Sequence, residues 1–122
     1  MSLDVYLFKH KQQINNNDYD DIINTDDSEL YSANITHNLG EMAEKAGIYQ
    51  ALWRPEEINA IQAKDIINIV EKGLQELIMK PSYYKQFDSP NGWGVYEHFV
   101  PFVAKYLEAL KQYPNSYIYI SR

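Results

Sequence analysis

Three segments of this chain alternate with a period of two. They stand at its two ends, and the sequence between them reads with a helical period. Leu3, Val5 and Leu7 alternate with Asp4, Tyr6 and Phe8, so both faces of that segment are partly apolar. Tyr31, Ala33 and Ile35 alternate with Ser32, Asn34 and Thr36, and Tyr117-Ile118-Tyr119-Ile120 is β-branched and aromatic. Two strands, several helices and one strand, without βαβ alternation, predict an α+β fold. The expectation is a small, three-stranded, mainly antiparallel sheet with strands near 3–9, 29–36 and 116–121, covered on one face by four or five helices. The first two strands would pair across a long acidic loop at 12–28, and the last would lie beside one of them. The 122 residues are expected to form a single domain, 1–122.

The helical part is punctuated by recognisable stops. Asn38 precedes Glu41 at capping-box spacing, followed by the stripe Leu39, Met42, Ala43 and Ala46 and by Gly47 as the left-handed terminator. Ile48 to Trp53 reads as a helical turn ended at Arg54 by Pro55. A longer helix is predicted from Glu56 to about Met79, with Ile66, Ile67, Val70, Leu74, Leu77 and Ile78 on one face; Gly73 within it leaves room for a close helix contact. Pro81 to Phe87 forms a further short helix, and Ser89 to Gly94 is a turn by its breakers. The last helix carries Phe99, Val103, Tyr106, Leu107 and Leu110, with Pro101 predicting either a start near Val100 or a bend.

Charge is unevenly placed along this scaffold. Residues 12 to 44 hold eight acids and no Lys or Arg, so the formal net charge of −6 comes from this one region. No basic patch suited to a phosphate backbone is visible, and direct nucleic acid binding is not expected. An acidic flank with Asp18, Asp20, Asp21, Asp26 and Asp27 would steer towards basic partners, or simply be a solvated loop. A calcium loop on Asp18, Asp20 and Asp26 lacks the Gly and terminal Glu of an EF-hand. The chain has no Cys, and its three His show no metal-ligand spacing, so neither a disulfide framework nor a resident metal or cofactor is expected. No signal peptide or membrane helix is read, and the expected location is the cytoplasm.

The run Ile35-Thr36-His37-Asn38-Leu39-Gly40-Glu41-Met42-Ala43-Glu44-Lys45-Ala46-Gly47-Ile48-Tyr49, then Ala51-Leu52-Trp53-Arg54-Pro55, resembles a family of small uncharacterised proteins from phages and bacteria. Ser89-Pro90-Asn91-Gly92-Trp93-Gly94-Val95-Tyr96 and Phe99-Val100-Pro101-Phe102 extend the likeness over nearly the whole chain. The resemblance implies a phage-type or mobile-element accessory role and attaches no activity, catalytic residue or ligand to these motifs.

Two kinds of site follow from the residues. His37 and Asn38 stand where a strand hands over to a helix, and Tyr83, Tyr84, Trp93 and Tyr96 cluster in sequence around one turn. Together with Arg54 or Arg122 they could enclose a planar or anionic small molecule, with His37, Asn38, Arg54, Trp93 and Tyr96 as ligand-binding residues. The plainer expectation is that Asn38 only caps its helix and that Trp93 is pinned to the core. The leading functional expectation is a non-enzymatic protein that binds a host protein through the acidic loop and the aromatic turn, with Tyr83 and Tyr84 at the contact. The alternatives are a sequestering protein for an anionic or nucleotide-like ligand, and a small hydrolase using His37, since His37 or His98 paired with an acid such as Glu41 or Glu97 could supply the acid or base. No GxSxG elbow or Cys supports catalysis, so an enzyme is the less favoured reading. A homodimer through the Tyr117 and Tyr119 face is also open.

Overall fold

The structure, a computed structural model, describes residues 2–11 and 28–122. The acidic residues Asp18, Asp20, Asp21, Asp26 and Asp27 of the expected loop lie outside the described residues. The fold is α+β: an antiparallel sheet of β1 (Ser2–Phe8), β2 (Glu29–Thr36) and β3 (Tyr117–Ser121), and five α-helices among the described residues. These are α1 (Gly40–Lys45), α2 (Tyr49–Trp53), α3 (Ile67–Met79), α4 (Pro81–Lys85) and α5 (Tyr96–Gln112).

The strand order is β2-β1-β3, which puts the N-terminal strand in the centre. Its register sets Leu3 opposite Ile35, Val5 opposite Ala33 and Ile120, and Leu7 opposite Tyr31 and Ile118. Leu3, Val5 and Leu7 are fully buried in the core shared with the helices. Tyr6, Phe8 and Tyr119 form a second, smaller cluster on the other face, with Phe8 and Tyr119 meeting edge to face at 5.5 Å. The two-sided apolar character of β1 in the sequence is therefore the mark of a central strand with apolar neighbours on both faces.

Local stop signals hold where no distant group competes. Gly47 takes φ +80, and Gly73 lies so close to α1's end that a Cβ there would overlap Ile48 Cγ2. The stripe Leu39, Met42, Ala43 and Ala46 is buried as expected. Pro101 lies inside α5, which starts earlier than expected, at Tyr96. Asp88 Oδ1 accepts the Tyr96 N–H at 2.7 Å and so supplies the missing cap.

The long helix from Glu56 does not form. Pro55–Ile58 is a 3-10 turn, Asn59 reverses the chain at φ 58, Ala63–Asp65 is a second 3-10 turn, and helix resumes only at Ile67. Asn tolerates the left-handed region better than other non-glycine residues, which makes the reversal cheap. What competes with the helix is the sheet. Gln62 bridges antiparallel to Tyr117, Ile118 N–H donates to Ile61 O, and Ala63 N–H donates to Ser116 O, the last two both at 2.9 Å. The apolar stripe itself starts only at Ile66, so the periodicity never covered Glu56–Asp65; at its far end Ile78 is exposed.

Among the described residues two buried side-chain groups have no hydrogen-bond partner, the Trp53 indole N–H and the Tyr106 hydroxyl. Tyr106 lies beneath β2, its ring stacked on Tyr31 at 6.1 Å.

Candidate functional site

At the end of β2 the chain enters a 3-10 turn, His37–Leu39, capped by Thr36, whose Oγ1 accepts the Asn38 N–H at 3.4 Å. Asn38 is therefore not the cap. Its side chain is taken by a distant group, because Nδ2 donates to Trp93 O at 2.8 Å. This bond fastens the Ser89–Gly94 turn to the end of the sheet.

The turn is organised around Asn91. Its Oδ1 accepts from Ser89 Oγ at 2.7 Å and from the Trp93 N–H at 2.9 Å, while Ser89 N–H donates to Gly94 O at 2.9 Å. Gly94 takes φ +107, and a Cβ there would stand 2.8 Å from Asn38 Cβ, so only glycine lets the two turns approach. With its backbone held from both sides, Trp93 projects outward and is 70% exposed. The expectation of a Trp pinned to the core is corrected: the carbonyl of Trp93 is the anchor, and its ring is presented to solvent.

His37, Asn38, Trp93 and His98 thus line one open cleft of about 880 Å³, together with Asn34 and Thr36 of β2. Among the described residues no Lys, Arg, Asp or Glu lines it. Neither imidazole is hydrogen-bonded to a carboxylate among the described residues, so no acid–base pair is assembled there.

The remaining nominated residues lie elsewhere. Tyr96 faces α3, where its hydroxyl donates to Leu77 O at 2.5 Å and Lys85 Nζ lies 5.6 Å from the ring centroid. Arg54 sits 3.7 Å from Glu57, and neither Arg54 nor Tyr96 lines the cleft. Arg122, considered as a cleft residue, forks onto Glu56 at 2.7 Å and 3.2 Å and donates to Trp53 O at 3.0 Å, clasping the end of β3 to the segment after α2. Tyr83 and Tyr84 line a different cleft, between α1, α3 and α4. The single aromatic wall expected from sequence is therefore divided, because α4 packs against the end of α1, with Tyr84 buried there, while the Trp93 turn packs against the end of β2.

One feature went unread in the sequence. β2 is an edge strand, and among the described residues no backbone hydrogen bond reaches it from its outer side. Self-association was expected at the Tyr117 and Tyr119 face; the outer edge of that strand is bridged at its start by Ile61–Ala63. Pairing order depends on contacts far apart in sequence, and no local signal carries it.

Among the described residues no helix is long and apolar enough to cross a membrane, and no group of three or more His, Asp or Glu is placed to hold a metal ion. No family model, no curated protein and no solved structure matches the chain.

Proposed function

We propose that this is a non-enzymatic interaction protein that takes up an extended segment of a partner protein along the outer edge of β2, with Trp93 as the anchor. The observation that carries the reading is the conjunction of an eight-residue edge strand without an outer backbone partner among the described residues and an exposed Trp at its end. Strand addition satisfies the backbone groups of such an edge, and a neighbouring aromatic gives the contact its affinity. β2 spans about 26 Å, so one added strand would run from the acidic region, which enters β2 through Glu29, to the cleft at Thr36. The charge complement is a basic partner: eight acids without a Lys or Arg between residues 12 and 44 raise the encounter rate of a basic chain. A host protein met in the cytoplasm, in a phage or mobile-element setting, is the partner this reading names; that setting rests on the motif resemblance.

The small-anion reading has less support at this cleft, since no Lys or Arg lines it. The hydrolase reading on His37 has less still, since no carboxylate orients the imidazole.

The test is capture of the partner from host lysate followed by amide hydrogen exchange on the complex. Slowed exchange across Leu30–Ile35, with an association rate that falls steeply with added salt, is the expected result. A complex that leaves β2 exchange unchanged sinks the proposal.

A further inference from the structure

The described surface holds one concavity whose chemistry is opposite to that of the whole chain. Between the end of α1, the outer face of α3 and α4 lies a cleft of about 520 Å³, lined by Lys45, Lys72, Lys80, Glu76, Tyr83 and Tyr84 over a floor of backbone at Ala46, Gly47 and Gly73. That volume is in the range of small-ligand sites. Three lysines and one glutamate line it, in a protein whose formal net charge is −6.

Glu76 is committed to Lys80, at 3.1 Å. Among the described residues neither Lys45 nor Lys72 has an ion pair, and Lys45 Nζ lies 5.9 Å from the Phe87 ring centroid. Like charges gathered around a concavity repel one another, and an anion entering it relieves that repulsion and gains charge-assisted hydrogen bonds. Lysine, a compact charge on a flexible stem, suits a phosphate in particular.

The floor is shaped for close approach. Gly73 has no side chain, and a Cβ there would stand 3.2 Å from Ala46 O, so the two backbones pass in near contact beneath the lysines. Beside them Tyr83 is 46% exposed, and its ring is held by contacts near perpendicular with Tyr84 at 5.0 Å and Phe87 at 5.5 Å. An aromatic ring fixed in this way is a stacking platform for a planar group.

We infer that this cleft is a binding site for a phosphorylated small molecule with a planar ring, of the mononucleotide class, with Lys45 and Lys72 on the phosphates and Tyr83 against the ring. The site is independent of the β2 edge and does not rest on the reading of that edge.

The test is titration of the isotopically labelled full chain with adenosine triphosphate, and separately with inorganic triphosphate, followed by amide chemical shifts. The expected result is saturable shifts at Ala46, Gly47 and Gly73 with adenosine triphosphate, and affinity weakened roughly tenfold or more by Lys72→Glu, a change at an exposed helix position. Tyr83→Ala would bring the affinity for adenosine triphosphate down to that for inorganic triphosphate. Shifts confined to other residues, or a Lys72→Glu variant that binds as well as the parent, would overturn the site. Equal affinities for the two probes in the parent would overturn the assignment of Tyr83 and of the planar ring.

Discussion

Where β3 begins, the outer edge of the sheet is bridged by Ile61–Ala63, whereas along β2 the outer edge has no backbone partner among the described residues. The closed side is elaborate. Asp65 Oδ2 accepts the N–H groups of Ile61 at 3.0 Å and Gln62 at 2.9 Å, the Gln62 amide donates to Asn115 O at 3.0 Å, and Arg122 clasps Glu56. The open side carries none of the usual defences within the strand: Glu29–Thr36 contains no Lys and no Pro. One edge is thus bridged where β3 begins, while the β2 edge is without a backbone partner along its length among the described residues. It ends, moreover, at the most exposed of the chain's tryptophans, since Trp53 is buried.

The largest expected effect breaks the open side alone. Trp93→Ala should weaken partner binding by about 2–4 kcal/mol, the range of an aromatic anchor, while thermal stability stays within about 0.5 kcal/mol because the anchoring carbonyl and the Asn91 bonds are kept. Calorimetric titration and thermal unfolding of the same variant separate the two. A loss of stability as large as the loss of binding would mean that the ring supports the turn instead of reading a partner.

The reciprocal variant breaks the closed side. Asp65→Ala removes the acceptor of two backbone N–H groups and should cost about 1–2 kcal/mol of stability in urea unfolding, with partner binding unchanged. The hydrogen bonds from Gln62 and Ile61 hold the Asp65 carboxyl below its ordinary value of 3.8. The folded state therefore holds that proton less tightly than the unfolded chain. The resulting stability is complete above the unfolded carboxyl range and is lost as pH falls through the depressed folded value. The difference between parent and variant should accordingly be present at neutral pH and shrink as pH falls below the ordinary carboxylate range.

A subtler change sharpens the contrast. Ser32→Lys places a long cation at an exposed position in the middle of β2, the device by which edge strands refuse partners. Binding should fall roughly tenfold with no change in melting temperature, since surface substitutions of this kind rarely exceed about 0.5 kcal/mol. Equal binding would move the contact off the strand and onto the Trp93 cleft alone.

The same contrast explains what could be read from the sequence. Leu3, Val5 and Leu7, the stripe from Leu39 to Ala46, the Gly47 stop and the start at Pro81 were legible because each depends on neighbours within a turn or a pleat. Asn38 was misassigned although its capping grammar was sound, because Trp93 O, distant in sequence, competes for its side chain. The helix from Glu56 failed for the same reason: the carbonyl of Ile61 and the N–H of Ala63 are claimed by β3. Tyr83 and Trp93 are near in sequence yet line different clefts, while Lys45, Lys72 and Lys80 come from two different helices to share one. Spacing along the chain carries neither fact.

The smallest expected effect concerns the ground beneath the open edge. Tyr106 lies fully buried under β2, its ring stacked on Tyr31 at an interplanar angle of 21°, and its hydroxyl has no hydrogen-bond partner among the described residues. Burial pushes the phenol's pKa far above its ordinary value, so the group stays neutral at any working pH. A buried hydroxyl without a partner has surrendered its hydrogen bonds to water and regained none. Tyr106→Phe keeps the ring, its stacking on Tyr31 and its packing in α5, and removes only the oxygen. Stability should therefore stay level or rise by up to about 1 kcal/mol, read as a higher urea midpoint at unchanged slope. A loss of stability would show that a bound water satisfies the hydroxyl, since only a lost hydrogen bond could outweigh the relief. Trp53 offers no such clean test, because its indole N–H cannot be removed without losing buried ring area as well. An unchanged or higher midpoint for Tyr106→Phe would place the exception to polar satisfaction directly beneath the strand that lacks an outer partner. The support of β2 from below would then rest on ring packing.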